Sequence, residues 1–273
     1  MILLSGKLVA KKLKEEIKEE VALLKRVPRY IILLNEKDSS SLGYATSQVK
    51  LATSLGIKTE IRYIDGINVT YEEEIKKINE DDTFDACIIT RPLLNVKDEN
   101  KILSLLSYKK DVDAINPYAL GKLFMSNSKY IVPATAEAVL YMLKYYDIGL
   151  DGKSCLVVGR SLSVGKSVAM LLLDQNATVT IAHSHTKNLK ELLSKADIIV
   201  SALGKPLYLD TKDMKEEAIC IDCGIHYLED KIVGDVKRSK DIKMISMVPG
   251  GIGPITTCLL LKHVIKLMEL KDE

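Results

Sequence analysis

Short apolar runs alternate with helical patterns along the whole chain, and this alternation constrains the fold more than any other feature. Strands that are separated by helices pair in parallel, because the helix carries the chain back to the same end of the sheet. The sequence therefore predicts an α/β fold built from parallel βαβ units. The runs predicted as strands are RYIILLN (29–35), IKTEIRYI (57–64), FDACIIT (84–90), SCLVVG (154–159), TVTIA (178–182), ADIIVSA (196–202) and AICIDCG (218–224).

The segments between these runs repeat apolar residues at helical spacing. Residues 7–26 place them among lysines and glutamates, which is typical of a surface helix. Residues 40–56 close on Gly56, a common helix stop. Pro133 introduces the next helix, so the joint between two domains is predicted in YIVPAT. The other predicted helices are 71–80, 135–147, one starting near 163, 187–195 and 253–270.

Length and charge exclude several classes of protein. The chain has 273 residues, enough for about two domains, and 47% hydrophobic residues suit a packed core. A net charge of +2 offers no broad basic surface, so no nucleic-acid partner is expected. The apolar start MILL is too short for a signal peptide or a membrane span. We expect a cytoplasmic protein without a membrane partner.

The cysteines and histidines do not form a recognisable metal site. The five cysteines are an odd number, which favours reduced thiols in a chain without a secretion signal. Cys220 and Cys223 have zinc-like spacing but lie in an apolar strand, where residues three apart point to opposite faces. His183 and His185 share a face at a strand end without further ligands nearby in sequence. The sequence predicts no metal.

The stretch VVGRSLSVGKSVA (157–169) predicts a strand, a glycine turn and a helix start, an arrangement that binds phosphate. A P-loop needs glycine at position 160, where the chain has Arg160; Gly159 comes one residue too early for the GKS at 165–167. A dinucleotide site fits the strand–turn–helix context, although Ser161 occupies the second glycine position. Both readings remain open from these residues, and the dinucleotide site is favoured.

The next predicted strand bears on the choice of cofactor. An NAD site places an acidic residue against the ribose about 20 residues after the glycine turn. Here the strand ends in IAHSHTK without an acid. Arg160, Ser184, His185 and Lys187 would suit a 2′-phosphate, so these residues favour NADP.

Six segments follow one another along the chain: KDVDA (110–114), NPYALGKL (116–123), GRSLSVG (159–165), HSHTKNL (183–189), CIDCGIH (220–226) and PGGIGPIT (249–256). In these segments the chain resembles the methylenetetrahydrofolate dehydrogenase/cyclohydrolases. That family has a Gly-Arg-Ser-x-x-Val-Gly turn, and its other patterns come in the same order. The similarity covers nearly the whole chain.

The resemblance implies two α/β domains around a cleft: a folate-binding domain at 1–134, completed by a returning helix at 254–273, and a Rossmann-like NADP domain at 135–253. It also implies a homodimer. The family oxidises 5,10-methylenetetrahydrofolate with NADP, and most members hydrolyse the methenyl product to 10-formyltetrahydrofolate.

Catalytic residues carried over by the resemblance are Tyr44, Gln48 and Asp113. The family has lysine where Gln48 stands, four residues after the tyrosine and on the same helix face. Lys50 lies about 120° around the helix from Tyr44. The family's QLPLP reads TRPLL, so Thr90 replaces a glutamine that contacts this lysine. An amide cannot transfer protons near neutral pH, so we expect the hydrolytic step to be weak or absent.

Further positions follow from the same resemblance. Asp113 matches the carboxylate that holds the pterin. The implied substrate contacts are Thr90 and, within PGGIGP, Pro249, Gly250, Gly251 and Pro254, for which a simple turn is the competing explanation. The cofactor contacts are Gly159, Arg160, Ser161, Gly165, Ser184, His185 and Ile225. Where the family has PCTP this chain has PATA, which leaves Thr135 as the predicted helix N-cap.

Three other functions remain open from the sequence. Another NAD(P)-dependent Rossmann oxidoreductase would need a catalytic histidine or lysine beside the cofactor, and none has clear context. A nucleotide-binding switch would use GKS (165–167) as a P-loop. A folate-binding protein without catalysis would also tolerate Gln48.

Overall fold

The computed structural model describes residues 1–126 and 130–272. Within them the chain forms two compact units. The 13–122 unit contains residues 13–122, 130–132 and 257–272, and the 133–256 unit contains residues 1–12, 123–126 and 133–256. The predicted bounds, 1–134 with 254–273 and 135–253, stay a prediction.

The elements of the first half follow the predicted alternation. Strands β2, β3 and β4 are separated by helices α2 and α3, and they coincide with three of the predicted strands to within two residues at each end. The elements are β1 (Ile2–Leu4), α1 (Gly6–Leu23), β2 (Arg29–Asn35), α2 (Ser39–Ser54), β3 (Lys58–Ile64), α3 (Tyr71–Glu80), β4 (Ala86–Ile89), α4 (Glu99–Leu103) and α5 (Pro117–Phe124).

The second half repeats the alternation and adds short strands that the sequence patterns did not predict. A π-helical turn at Leu162–Lys166 precedes α7, where the sequence predicted a helix starting near 163. The elements are α6 (Ala134–Tyr145), β5 (Ser154–Val158), α7 (Ser167–Leu173), β6 (Thr178–Ala182), α8 (Leu189–Lys195), β7 (Ile198–Ser201), β8 (Leu209–Asp210), β9 (Ile219–Asp222), β10 (His226–Leu228), β11 (Lys231–Val233), β12 (Val236–Lys237), β13 (Met244–Ser246) and α9 (Ile252–Asp272).

The 13–122 unit is organised around a parallel sheet in the order β3-β2-β4. The central strand β2 is buried from Tyr30 to Asn35, as expected for a strand covered on both faces. Ile31 and Leu33 pack with the apolar side of α3, whose Ile75 and Ile78 are fully buried. This core fixes the strand ends from which the candidate site is built.

The 133–256 unit contains a six-stranded parallel sheet in the order β1-β13-β9-β7-β5-β6. Strand β5 lies between β7 and β6, and its turn toward α7 carries the predicted phosphate-binding glycines. Strand β1 pairs with β13, where Leu3 lies opposite Ile245. The predicted α/β fold class, with parallel sheets in two units, is confirmed.

One capping prediction is wrong. Helix α6 begins at Ala134, and Pro133 occupies the N-cap position without a side-chain hydrogen bond. Thr135 therefore lies inside the first turn and does not cap it. Pro133 has ψ 121°, which is outside the helical range, while its carbonyl oxygen already accepts the Glu137 N–H at 2.9 Å, so the helix starts one residue after the ring.

A buried lysine binds the C-terminal end of helix α3. Lys110 Nζ donates to the carbonyl oxygens of Ile78 at 2.5 Å, Asp81 at 2.8 Å and Asn79 at 3.3 Å. Carbonyls at a helix C-terminus lack helical partners and carry partial negative charge, so an ammonium group stabilises them. Burial lowers the pKa of Lys110, against the raising effect of Asp82 and Asp81. The lysine of the KDVDA segment thus has a structural role: it binds the carbonyl oxygens at the end of α3.

We predict that Lys110→Met destabilises the protein by about 1–3 kcal/mol, because the carbonyl oxygens at the end of α3 lose their donor. Urea unfolding followed by circular dichroism measures this change. Lys109→Met is the matched control, since Lys109 is exposed, and it should change the free energy of unfolding little. Equal effects of the two substitutions would contradict the structural role of Lys110.

Candidate functional site

Helix α2 presents Tyr44 and Gln48 on one face. Gln48 Nε2 donates a 2.7 Å hydrogen bond to Tyr44 Oη, as the spacing of four residues allows. Gln48 is fully buried, whereas the Tyr44 side chain is 38% exposed. Lys50 on the same helix is exposed. Of the residues on α2, the amide of Gln48 is therefore the polar group that meets the tyrosine.

A second tyrosine, which the sequence patterns did not identify, completes this cluster. Tyr30 in β2 is fully buried, and its hydroxyl donates to Gln48 Oε1 at 3.2 Å. Gln48 thus bridges Tyr30 and Tyr44 through both ends of its amide. In sequence, the available signal was a phenol within the apolar run RYIILLN, whose hydroxyl needs a partner once buried.

After the larger effect of burial, the charge of Asp113 raises the pKa of both tyrosines in this cluster. Although Tyr44 as a whole is 38% exposed, its hydroxyl group is enclosed by protein atoms. Burial of this hydroxyl, with the Asp113 carboxylate, raises the pKa of Tyr44 well above the usual phenol range. Tyr44 is therefore protonated at neutral pH and can donate a hydrogen bond. Arg91 Nη2 lies 3.7 Å from Asp113 Oδ2, a partly exposed pair whose attraction is screened by solvent.

The loop that carries Asp113 is held by a second carboxylate. Asp111 accepts hydrogen bonds from the backbone N–H groups of Asp113, Ile115 and Asn116 at 2.8–3.1 Å. Burial, with the nearby Asp113 charge, raises the pKa of Asp111 to about 7. Asp111 thus shapes the loop and aims Asp113, a role that sequence reasoning missed.

Thr90, a predicted substrate contact, follows β4. Its hydroxyl donates to the carbonyl oxygen of Leu33 at 3.0 Å, and the residue is buried. The threonine hydroxyl therefore bonds the main chain of the neighbouring strand β2. Its assignment to the substrate stays a prediction.

The glycine turn after β5 is tightly packed in the 133–256 unit. Gly159 has φ +135°, and a methyl group on it would overlap the Ala202 carbonyl. A methyl group on Gly165 would overlap the backbone of Gly159. Ser161 Oγ accepts from the Gly165 N–H at 3.3 Å, and Arg160 is exposed. The turn is a compact backbone structure with an outward-facing arginine.

The serine of GKS does not present its hydroxyl to a ligand. Ser167 is buried, and its Oγ donates to the Leu162 carbonyl at 2.5 Å. A P-loop serine must offer its hydroxyl to Mg²⁺. This geometry, with the displaced first glycine, argues against the P-loop alternative.

The turn after β6 orders the predicted 2′-phosphate residues. The His183 N–H donates to Thr186 Oγ1 at 2.8 Å, and the His185 N–H donates to His183 Nδ1 at 3.2 Å. Ser184 and His185 are exposed at this turn. Their side chains are accessible to an anion, and no contact in the described residues tests their assignment to the cofactor.

Ile225 stands on a loop that is held by two buried carboxylates. Asp222 accepts from the N–H groups of Gly224 and Asp235 at 2.9 and 3.0 Å. Asp235 in turn lies 2.7 Å from His226 Nε2. Burial raises the pKa of Asp222, against the lowering effect of these N–H donors. Ile225 itself is 55% exposed and is presented to solvent by this framework.

The PGGIGP segment has a packing reason for its glycines. Gly250 has φ +94°, and its carbonyl accepts from the Gly6 N–H at 2.8 Å. A methyl group on Gly251 would overlap the Met247 carbonyl, and one on Gly6 would overlap the Gly251 carbonyl. Close backbone packing against the start of α1 thus accounts for these glycines. The substrate assignment of Pro249, Gly250, Gly251 and Pro254 stays a prediction.

The five cysteines are all free thiols: Cys87, Cys155, Cys220, Cys223 and Cys258. Burial raises the pKa of Cys220 and Cys223 in the CIDC segment, so both thiols stay protonated at neutral pH. In the described part of the chain no helix has the length and apolar character needed to cross a bilayer.

Two family models match the chain. The catalytic-domain model of tetrahydrofolate dehydrogenase/cyclohydrolase matches residues 4–113, which include the tyrosine–glutamine cluster and Asp113. The NAD(P)-binding-domain model of the same family matches residues 133–272, which include the glycine turn. The class defined by the fold and these matches is an α/β protein that joins a catalytic domain to a dinucleotide-binding domain.

Individual relatives are similar to this chain over nearly its full length. The bifunctional protein FolD of Clostridium botulinum is 43% identical over 271 residues, covering 96% of this chain and 95% of the relative. The crystal structure of the bifunctional enzyme FolD from Campylobacter jejuni has a TM-score of 0.93, 33% identity and 99% coverage of both chains. The Trypanosoma brucei enzyme, solved with NADP and an inhibitor, has a TM-score of 0.92 at 30% identity, covering 100% of this chain and 99% of that one. The chain belongs to the tetrahydrofolate dehydrogenase/cyclohydrolase family, and the predicted resemblance is confirmed.

We predict that Gly165→Ala destabilises the protein by about 1–3 kcal/mol, because the added methyl group overlaps backbone atoms that cannot move independently. Thermal unfolding measures the loss. Gly149→Ala is the control, since nothing lies within 4 Å of a methyl group there. A Gly165→Ala protein as stable as this control would contradict the described packing of the turn.

Proposed function

We propose that this chain catalyses the NADP-dependent oxidation of 5,10-methylenetetrahydrofolate to 5,10-methenyltetrahydrofolate in one-carbon metabolism. The observation that carries the proposal is the pairing of the two family models with a polar cluster in one unit and a glycine turn in the other. The bifunctional names of the relatives and the NADP bound to the Trypanosoma brucei enzyme support the same assignment.

The residues of the 13–122 unit fit a reduced pterin. Asp113 offers acceptor oxygens to the amide and amino donors of the ring. Tyr44 is protonated, since burial and the Asp113 charge raise its pKa, and it borders the substrate as a hydrogen-bond donor. These contacts orient the ring and contribute no proton transfer, which suits a step whose rate depends on alignment.

The 133–256 unit fits the cofactor. The compact turn from Gly159 to Gly165 lets a pyrophosphate approach the main chain closely. Arg160, Ser184 and His185 are exposed and suit a 2′-phosphate, while Ile225 borders the nicotinamide. When bound, NADP accepts the hydride; the chain's part is to hold and orient it.

The hydrolytic step is proposed to be weak or absent. Adding water to the methenyl bridge requires a group that moves a proton. Gln48 can only donate and accept hydrogen bonds, and both ends of its amide are engaged by Tyr30 and Tyr44. The exposed Lys50 does not replace it on the buried face of α2.

The remaining assignments are also proposals. We infer a homodimer in the cytoplasm, acting on tetrahydrofolate derivatives, with neither nucleic acid nor membrane as a partner.

Formation of NADPH on mixing the protein with methylenetetrahydrofolate and NADP would exclude a folate-binding protein without catalysis. Absence of any turnover under saturating conditions would overturn the proposed function.

We predict that the unaltered protein forms methenyltetrahydrofolate but consumes it no faster than it hydrolyses spontaneously. Gln48→Lys introduces a group that can transfer a proton beside Tyr44, and we expect it to raise hydrolysis about tenfold or more. Following NADPH and methenyl absorbance separately distinguishes the two steps.

Lys50→Gln is the control for this substitution, because it changes an exposed lysine on the same helix and should leave both rates unchanged. Robust hydrolysis by the unaltered protein would refute the proposed loss of the second activity. A Gln48→Lys protein that folds and oxidises its substrate without faster hydrolysis would show that position 48 does not limit this step.

We predict that Arg160→Met raises the KM for NADP about tenfold or more, because a charge-assisted contact with the 2′-phosphate is removed. The kcat/KM with NAD, which lacks that phosphate, should change little. Lys153→Met, at the opposite end of β5, controls for the loss of an exposed cation. Equal losses with NADP and NAD would place Arg160 elsewhere than at the 2′-phosphate.

A further inference from the structure

The amide of Gln48 has a donor end and an acceptor end. Which end faces Tyr44 determines whether the Tyr44 hydroxyl donates its hydrogen to Gln48 or to another group. In this structure Oε1 accepts from Tyr30, and Nε2 donates to the Tyr44 oxygen. The Tyr44 hydrogen is then not committed to Gln48. With the amide turned over, Oε1 would face Tyr44 and take its hydrogen, so the phenol would donate inward.

The environment of Tyr30 favours the first orientation. Tyr30 lies in the central strand β2 and is fully buried, and Gln48 Oε1 is the hydrogen-bond acceptor that the described residues offer its hydroxyl. With the amide reversed, Tyr30 would receive a hydrogen bond from Nε2 while its own hydrogen lost that acceptor. A buried hydroxyl without an acceptor is unfavourable, so Tyr30 holds Oε1 toward itself.

We propose that Tyr30 is a positioning residue for substrate binding: by donating to Gln48 Oε1 it orients the amide so that Tyr44 can donate its hydrogen to the bound reduced folate. The proposal rests on the proposed function, because it concerns the folate site at Tyr44. Tyr30 acts through Gln48 and needs no contact with the substrate itself.

The three side chains form a line of hydrogen bonds that runs in one direction. Tyr30 donates to Gln48, Gln48 donates to Tyr44, and Tyr44 is left to donate to the ligand. The elevated pKa of Tyr44, caused first by burial and then by the Asp113 charge, keeps its hydrogen in place throughout the neutral pH range. Removing the first donor frees the amide to turn over, which leaves only a fraction of molecules competent to bind productively.

Tyr30→Phe tests this directly, since it removes the hydroxyl and keeps the ring. We expect the KM for methylenetetrahydrofolate to rise about threefold or more, with the KM for NADP unchanged. Tyr71→Phe is the matched control: Tyr71 is a buried tyrosine in the same unit whose hydroxyl accepts from the Leu94 N–H. A purely structural loss would affect both variants alike, so equal folate KM values would overturn the proposal.

A double-mutant cycle with Gln48→Met separates action through Gln48 from a direct effect. Methionine has similar length and no amide, so Tyr30→Phe should change the folate KM no further in that background. An undiminished effect there would overturn the proposed route through Gln48.

The proposed function and this inference can fail separately. Absence of NADPH formation by the unaltered protein overturns the proposed function alone. Calorimetric Kd values for tetrahydrofolate then test Tyr30 by the same comparison of Tyr30→Phe with Tyr71→Phe. If the unaltered protein turns over and Tyr30→Phe matches Tyr71→Phe, the role of Tyr30 is overturned and the oxidoreductase assignment stands.

Discussion

Main-chain pairing between parallel strands determines where the loops of both units lie. Parallel strands bring their carboxyl ends to the same edge of a sheet, so the turns that follow them become neighbours. In the 133–256 unit the Gly159 N–H donates to the Ala182 carbonyl of β6, and the Ala202 N–H donates to the Val158 carbonyl of β5. These backbone hydrogen bonds bring together the glycine turn, the turn after β6 and the loop after β7, and the Asp235 carboxylate holds the last of these by accepting from the N–H groups of Leu203 and Lys205. The sheet fixes where these three turns lie, and their side chains determine which ligand they can bind.

Buried charges in both units are satisfied mainly by the main chain. Lys110 binds carbonyl oxygens, while Asp111 and Asp222 bind N–H groups. A buried charge without partners would be strongly destabilising, so each such group demands a particular local backbone path. These contacts shape the loops after the strands, and the loops in turn carry Asp113 and Ile225. Asp113 and Ile225, which are assigned to ligands, thus depend on neighbouring buried residues for their positions.

The strands and helices were predictable where periodicity is long and local. Strand β2 and helix α3 have the bounds that the sequence predicts, because their burial patterns extend over seven and ten residues. Strand β1 was missed, since its three residues are stabilised by pairing with β13, far away in the chain. Tyr44, Gln48 and Asp113 were proposed as site residues through the resemblance to the family, and their roles stay a prediction. Tyr30 and Asp111 were not proposed, because their partners are set by tertiary contacts that no local pattern records.

The amide at position 48 differs from a lysine in more than its inability to transfer protons. An ammonium group only donates, and it can rotate to suit any nearby acceptor, so its orientation needs no support. An amide has a donor end and an acceptor end, and reversing it exchanges the two. Glutamine between two phenols can therefore adopt two amide orientations. The buried Tyr30 hydroxyl favours the one that places Oε1 toward Tyr30. Hydride transfer depends on how the two rings are held, so such an arrangement is compatible with the proposed oxidation, which needs no proton transfer from position 48. On this argument, glutamine at position 48 and a hydroxyl at position 30 are physically coupled features of one site.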